Sequence, residues 1–287
     1  MYAHPEYLVE TDWLAEHLDD ADLRVFDCSV FLTPSPDGTF DMESGRAKWE
    51  SGHIPGSGFL DLISDLSDTS SALRFTMPGP DAFAQAVGRA GIGNDSRVVL
   101  YCGGPPMWAT RMWWMLRAMG FDNAAVLNGG WNKWKAEGRP QSTTTPAYPP
   151  SQFDPRPRPD MFAPKEEVLA GTTDGGTCVL NTLTPQMHSG EMAIASRPGR
   201  ISGSTNVPAA ALSDPDNHTF LDADTLQGKL DAGGASAGKR VITYCGGGIA
   251  ATQNAFALAL LGHENVAVYD GSMSEWAADP DMPMETG

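Results

Sequence analysis

The chain repeats itself once, at an offset that barely drifts. Val98-Val99-Leu100-Tyr101-Cys102-Gly103-Gly104 recurs as Val241-Ile242-Thr243-Tyr244-Cys245-Gly246-Gly247, so that Cys245 lies 143 positions after Cys102. Each run leads into a helical stretch, then Gly120-Phe121 or Gly262-His263, then an apolar run closing on glycine, and then a tryptophan, with Trp276 142 positions after Trp134. Upstream, Gly52-His53-Ile54-Pro55-Gly56-Ser57 is matched by Gly199-Arg200-Ile201-Ser202-Gly203-Ser204. A duplication this long makes each half a packing unit with a core of its own, and 287 residues suffice for two such cores.

Within each half the apolar runs are short. Arg24–Asp27, Val98–Tyr101, Cys178–Asn181 and Val241–Tyr244 read as buried strands. Between strands the pattern turns helical, as at Trp13, Leu14, His17 and Leu18 after the candidate cap Thr11, or at Val168 and Leu169 between Pro164 and Gly171. Strands alternating with helices, twice over, predict an α/β protein of two domains, each a mainly parallel sheet flanked by helices. The prolines between Pro140 and Pro159 exclude helix and central strand there. The expected division is therefore a first domain over 1–140, a proline-rich linker over 141–160 and a second domain over 161–287.

Charge and composition narrow the function. Asp and Glu number 36 against 19 Lys and Arg, a formal net charge of −17. With no basic patch in the sequence, this acidity argues against nucleic acid and anionic membrane surfaces as partners. No apolar run is long enough to span a bilayer, and the N-terminus lacks the features of a signal peptide, so a cytoplasmic protein is expected. Cys28, Cys102, Cys178 and Cys245 are widely spaced, with no Cys-x-x-Cys pair, which favours reduced thiols over a disulfide framework or a zinc site.

Cys245 is the candidate reactive atom. It stands between a buried strand and a helix and is followed by Gly246, Gly247, Gly248, Ile249 and Ala250. Three glycines allow a turn tight enough for successive N–H groups to point at one spot, and the following helix adds the positive end of its dipole. Such a nest favours a thiolate and hence a nucleophile, whereas a thiol in an apolar core is inert. Cys102 occupies the matching loop, but Pro105 and Pro106 remove donors from it, so a structural or accessory role is expected there. Cys28 and Cys178 read as core thiols. The tryptophans Trp113 and Trp114 read as packing.

Several of these segments together resemble the tandem rhodanese-domain sulfurtransferases, the group containing thiosulfate and 3-mercaptopyruvate sulfurtransferases. They are Gly52-His53-Ile54-Pro55-Gly56 with Phe59-Leu60-Asp61, Arg111 to Arg117, Val126-Leu127-Asn128-Gly129-Gly130 with Trp134, and Tyr269-Asp270-Gly271-Ser272 with Glu275-Trp276. The resemblance implies that Cys245 takes a sulfane sulfur from a small donor as a persulfide and passes it to a thiol or cyanide. It implies no metal and no organic cofactor. The backbone N–H groups of Gly246, Gly247, Gly248, Ile249 and Ala250 would then cradle the persulfide.

Donor choice is less determined. Thiosulfate-preferring relatives carry basic side chains just after the cysteine, where this chain has Gly246 and Gly247; mercaptopyruvate-preferring ones carry Gly-Ser-Gly, where this chain has Gly247 at the serine. The arginines that the family places after the first strand of its second domain are replaced by Thr182-Leu183 and Met187-His188. Arg197 and Arg200 are candidate anion binders, His188 a candidate anion or proton partner, Asp61 a candidate electrostatic accessory and Trp108 a candidate cleft residue. Two further readings stand beside the enzyme: a module relaying sulfur, or sensing oxidants, with a protein partner, and a cysteine phosphatase or arsenate reductase. The last needs an arginine closing the loop after Cys245, and none lies within eight residues.

Overall fold

The computed structural model describes residues 1–34, 40–146 and 148–287. The first half forms β1 (Leu8–Val9), α1 (Thr11–His17), β2 (Leu23–Asp27), β3 (Val30–Pro34), β4 (Phe40–Ser44), α2 (Arg46–Ser51), β5 (Gly58–Phe59), α3 (Pro80–Arg89), β6 (Arg97–Tyr101), α4 (Met107–Ala118), β7 (Ala124–Leu127) and α5 (Gly130–Ala136). Its sheet runs β1-β7-β6-β2-β5 with every pair parallel, while β3 and β4 make an antiparallel ribbon. Thr11 is the first helical residue of α1 and Glu10 its cap, one position earlier than the sequence suggested.

The second half forms α6 (Lys165–Gly171), β8 (Thr177–Asn181), α7 (Pro185–Ser189), β9 (Arg200–Ile201), β10 (Thr205–Asn206), α8 (Ala223–Ala232), β11 (Arg240–Tyr244), α9 (Ala250–Leu260), β12 (Val266–Val268), α10 (Ser272–Trp276) and β13 (Met284–Glu285). Its sheet runs β10-β8-β11-β12, again parallel, and β13 closes antiparallel on β9. The apolar runs are buried on both faces, which is why they carry no polar alternation. β6 and β11 are interior strands of their sheets, so both cysteine loops emerge at carboxyl ends, where parallel α/β sheets place their sites.

The repeat is kept at the level of single hydrogen bonds. Tyr101 Oη lies 2.7 Å from Ser57 Oγ and accepts the Ile54 N–H; Tyr244 Oη lies 2.7 Å from Ser204 Oγ and accepts the Ile201 N–H. The helices that follow the two loops, α4 and α9, pack against each other and carry one apolar core through both halves. Trp113 meets Phe256 edge-on at 4.9 Å, and the hydroxyls of Thr110 and Thr252, equivalent positions, lie 3.0 Å apart. An approximate twofold axis therefore passes between α4 and α9.

After α5 the chain runs extended over the first half. Ser142 pairs with His53, the Tyr148 hydroxyl donates to the Gly56 carbonyl, and the N–H groups of Ser151 and Arg156 reach the carbonyls of Gly88 and Met119. Phe153 packs against Phe83 and Phe121. Among the described residues no helix is long and apolar enough to cross a membrane.

Candidate functional site

Cys245 follows directly on β11 and is 3 % exposed. Its loop is pinned from inside by Ser272, a fully buried residue in the left-handed region (φ 49°). Ser272 Oγ accepts the N–H groups of Cys245 and Gly248, each at 3.1 Å, and donates to the Tyr269 carbonyl at 2.7 Å. From the outside the Met273 N–H reaches the Cys245 carbonyl at 3.0 Å, and the N–H and hydroxyl of Ser274 both reach the Gly246 carbonyl.

Of the three glycines only the third is conformationally required. Gly248 has φ 77°, and a Cβ there would stand 2.6 Å from Asp270 Oδ1, whereas at Gly246 and Gly247 a Cβ meets nothing nearer than 3.5 Å. The N–H groups of Gly246, Gly247, Ile249 and Ala250 have no acceptor among the described residues. These four donors lie in the turn from Cys245 into an eleven-residue helix, whose dipole favours an anion at its start. The five-donor cradle expected from sequence is thus reduced by one, because Gly248 spends its N–H on Ser272.

The Cys102 loop differs at its first glycine. Its Gly103 N–H is taken by Ser29 Oγ at 2.8 Å. The residue matching Ser29 across the repeat is Leu183, since Asp27 and Asn181 cap the same turn by accepting the Ser29 and Leu183 N–H groups. Leucine has no acceptor to offer, which leaves Gly246 free. Cys102 Sγ donates to the Pro105 carbonyl at 3.2 Å, and burial pushes its thiol up to about 12 against the pull of the Ala109 and Trp108 N–H groups. Cys28 is likewise pushed well up by burial and by neighbouring Asp27. Asp27 itself, 5 % exposed, is raised to about 6 by burial.

The side chains proposed for anion binding are mostly engaged elsewhere. Arg197 donates to the carbonyls of Trp276, Ala277, Asp279 and Met282, holding the C-terminal segment on the second sheet. Arg200 pairs with Glu285 and donates to the Gly287 carbonyl. Both are corrected from anion binders to fasteners of the chain end. His188 presents a buried Nδ1 without a partner and is lowered to about 4, by burial first and Arg200 second, so it is neutral at physiological pH and carries no charge for an anion. Asp61 is buried and accepts from Ile63 N–H, Ser64 N–H and Ser44 Oγ, which makes it the cap of a turn. Trp108 is buried at 3 % exposure against Phe75.

Three residues that hold the Cys245 loop carried no assigned role from sequence: Ser272, Asp270 and Arg111. Asp270 accepts from Arg111 and from the Met77 N–H of the first half, and its backbone abuts Gly248. The signal for them was present in the repeat, as positions where one half has a hydroxyl or a charge that the other lacks: Ser272 against Gly130, Asp270 against Asn128, Arg111 against Gln253.

Comparison with known proteins supplies the lineage of this arrangement. A rhodanese-like domain profile matches residues 10–137 and again 190–279. Over the full chain, 32 % of residues are identical to a sulfur carrier protein, TtuD, of Thermus thermophilus, of which 99 % is covered. A 3-mercaptopyruvate sulfurtransferase of Escherichia coli is 30 % identical over 97 % of this chain and 98 % of its own. The crystal structure of SseA from Escherichia coli, described as a 3-mercaptopyruvate sulfotransferase, superposes with a TM-score of 0.83 at 29 % identity, covering 94 % of this chain and 99 % of that one.

Proposed function

The chain belongs to the rhodanese family and is a sulfurtransferase, and from that premise we propose that Cys245 carries the sulfur as a persulfide, with 3-mercaptopyruvate as the preferred donor class and a thiol as acceptor. The observation that supports this reading is the set of four unpartnered N–H groups in the Cys245 loop, among them that of Gly246, whose counterpart at Gly103 is taken by Ser29 Oγ. In the first step the Cys245 thiolate attacks the donor sulfur. An S–S bond forms, the donor C–S bond breaks, and the carbon keeps the electron pair as the enolate of pyruvate, which takes up a proton. In the second step an acceptor thiolate attacks the outer sulfur and returns Cys245 as thiolate. Charge on the outer sulfur is held by the loop N–H groups, which are preorganised by Ser272 and need not reorient during reaction.

Thiosulfate is the weaker donor in this reading. A dianion needs cations, the loop glycines supply none, and Arg197 and Arg200 are committed to the C-terminal segment. A protein thiol is an acceptor compatible with the same site, and the likeness to a sulfur carrier protein favours testing it. Steady-state assays with each donor and dithiothreitol decide the matter. We expect equimolar pyruvate and sulfide from 3-mercaptopyruvate, with kcat/KM at least about tenfold above that for thiosulfate. A higher kcat/KM for thiosulfate overturns the donor assignment, and turnover by Cys245→Ser overturns the persulfide.

A further inference from the structure

Arg111 lies on α4, in the first half, and is 1 % exposed. Its guanidinium nevertheless reaches the second half, pairing with Asp270 Oδ1 at 2.6 Å and donating to the Gly248 carbonyl at 3.4 Å. It also donates to the Phe75 carbonyl and stands 5.4 Å from the Phe162 ring. Asp270 Oδ2 accepts the Met77 N–H at 2.7 Å. One ion pair thus joins α4, the 75–77 segment, the loop after β12 and the third glycine of the Cys245 loop.

The repeat provides an internal control. Asn128 takes the place of Asp270, Phe220 that of Met77 and Gln253 that of Arg111. Asn128 Oδ1 accepts the Phe220 N–H at 2.9 Å, as Asp270 accepts that of Met77. Gln253, however, turns to the Ala209 carbonyl and Ser213 and does not bond Asn128. The backbone clamp that docks one half on the other is therefore duplicated, while among the described residues an ion pair reaches across the halves only on the side of Cys245; Asn128 donates instead to Glu10 of its own half, which pairs with Lys133. Burying an ion pair costs desolvation that a neutral contact avoids, so docking alone does not call for one. A carboxylate paired with a guanidinium that the Phe75 and Gly248 carbonyls also hold is fixed in direction as well as distance, which a loop of glycines cannot do for itself.

We propose that the Arg111–Asp270 pair is a positioning device through which the first domain sets the shape of the Cys245 loop by holding Gly248 in its left-handed turn. Neither side chain needs to touch substrate. The inference deepens the sulfur-transfer reading and rests on it for its turnover readout, but its primary readout is independent of any sulfur donor.

That readout is the rate at which Cys245 is alkylated by iodoacetamide, followed by peptide mass spectrometry at neutral pH in the full chain. Arg111→Met and Asp270→Asn remove opposite charges. If the pair acted only through its field, the two variants would change Cys245 reactivity in opposite directions. Positioning predicts that both slow alkylation, by about tenfold, and that the double variant is no slower than the worse single one. With 3-mercaptopyruvate, kcat falls about thirtyfold in each while KM stays within about threefold, and Arg111→Lys recovers at least about a third of kcat. Asp270→Asn keeps an acceptor for the Met77 N–H, so it carries the test even if Arg111→Met fails to fold. Opposite shifts, additive losses or unchanged alkylation overturn the proposal. Slowed alkylation in a parent protein that transfers no sulfur from either donor would leave the positioning intact and remove the function instead.

Discussion

The loops around Cys245 and Cys102 occupy equivalent places in the repeat and are hydrogen-bonded differently. Each follows an interior strand of a parallel sheet, faces its fellow across the α4–α9 contact and is backed by the same tyrosine–serine pair. At Cys102, Ser29 takes the Gly103 N–H and the thiol donates to Pro105, while burial pushes that thiol up to about 12 against the pull of the Ala109 and Trp108 N–H groups. At Cys245 leucine replaces the serine and a buried serine replaces Gly130 on the far side, so the loop is held rigid from behind while its front donors stay free. The lesson is that a reactive loop is made by where its hydrogen bonds are withheld. Number of donors alone does not distinguish the two.

The contrast can be broken most severely at Gly248. Gly248→Ala places a methyl group 2.6 Å from Asp270 Oδ1 at φ 77°, and should cost about 3 kcal/mol of stability and about a hundredfold in kcat. Gly104→Ala, also at positive φ but with nothing within 4 Å, should cost only about 1 kcal/mol and leave kcat alone. Urea unfolding and steady-state kinetics read both. Ser272→Ala strands the Cys245 and Gly248 N–H groups, and is expected to lose about 2 kcal/mol and about thirtyfold in kcat. Equal kcat in Ser272→Ala would mean that the loop needs no inner support.

Two smaller effects sharpen the picture away from the sulfur. Arg197→Gln should lower stability by about 1.5 kcal/mol, through its lost carbonyl bonds, and leave KM for 3-mercaptopyruvate within about twofold. A KM raised tenfold would restore Arg197 as a donor-binding group. Asp27 titrates near 6 in the fold against 3.8 when free, so between these values the folded state holds more protons than the unfolded one and stability falls as pH rises. Asp27→Asn should remove that slope relative to the parent. The gain at pH 7 should be about 1 kcal/mol, the benefit of an uncharged group being offset by an amide donor left without a partner, as at Asn181. Parent and variant melts at pH 4 and pH 7 measure it.

Much of this was legible in the residues. Short apolar runs ending in Tyr-Cys-Gly-Gly specify strand, loop and helix because each signal is local, and the repeat shows that prolines stand in only one of the two loops. What sequence could not supply were contacts closed by tertiary packing. Arg197 and Arg200 sit close to the second strand in sequence, yet their partners lie some 80 residues onward in the C-terminal segment, so proximity along the chain pointed to the wrong duty. Arg111 and Asp270 are separated by 159 residues and meet only when the halves dock. That a turn follows Cys245 is legible from its three glycines, but which of them must be glycine, the one that Asp270 presses on, belongs to the fold.

The central claim is that one of two equivalent loops forms a persulfide. The most direct measurement exposes the full chain to 3-mercaptopyruvate without acceptor, blocks all thiols with iodoacetamide, and maps the cysteine-containing peptides by mass spectrometry. The account predicts one added sulfur on the Cys245 peptide, none on the Cys102 peptide, and no loading anywhere in Cys245→Ser. Added sulfur on Cys102, or loading that survives Cys245→Ser, would contradict it.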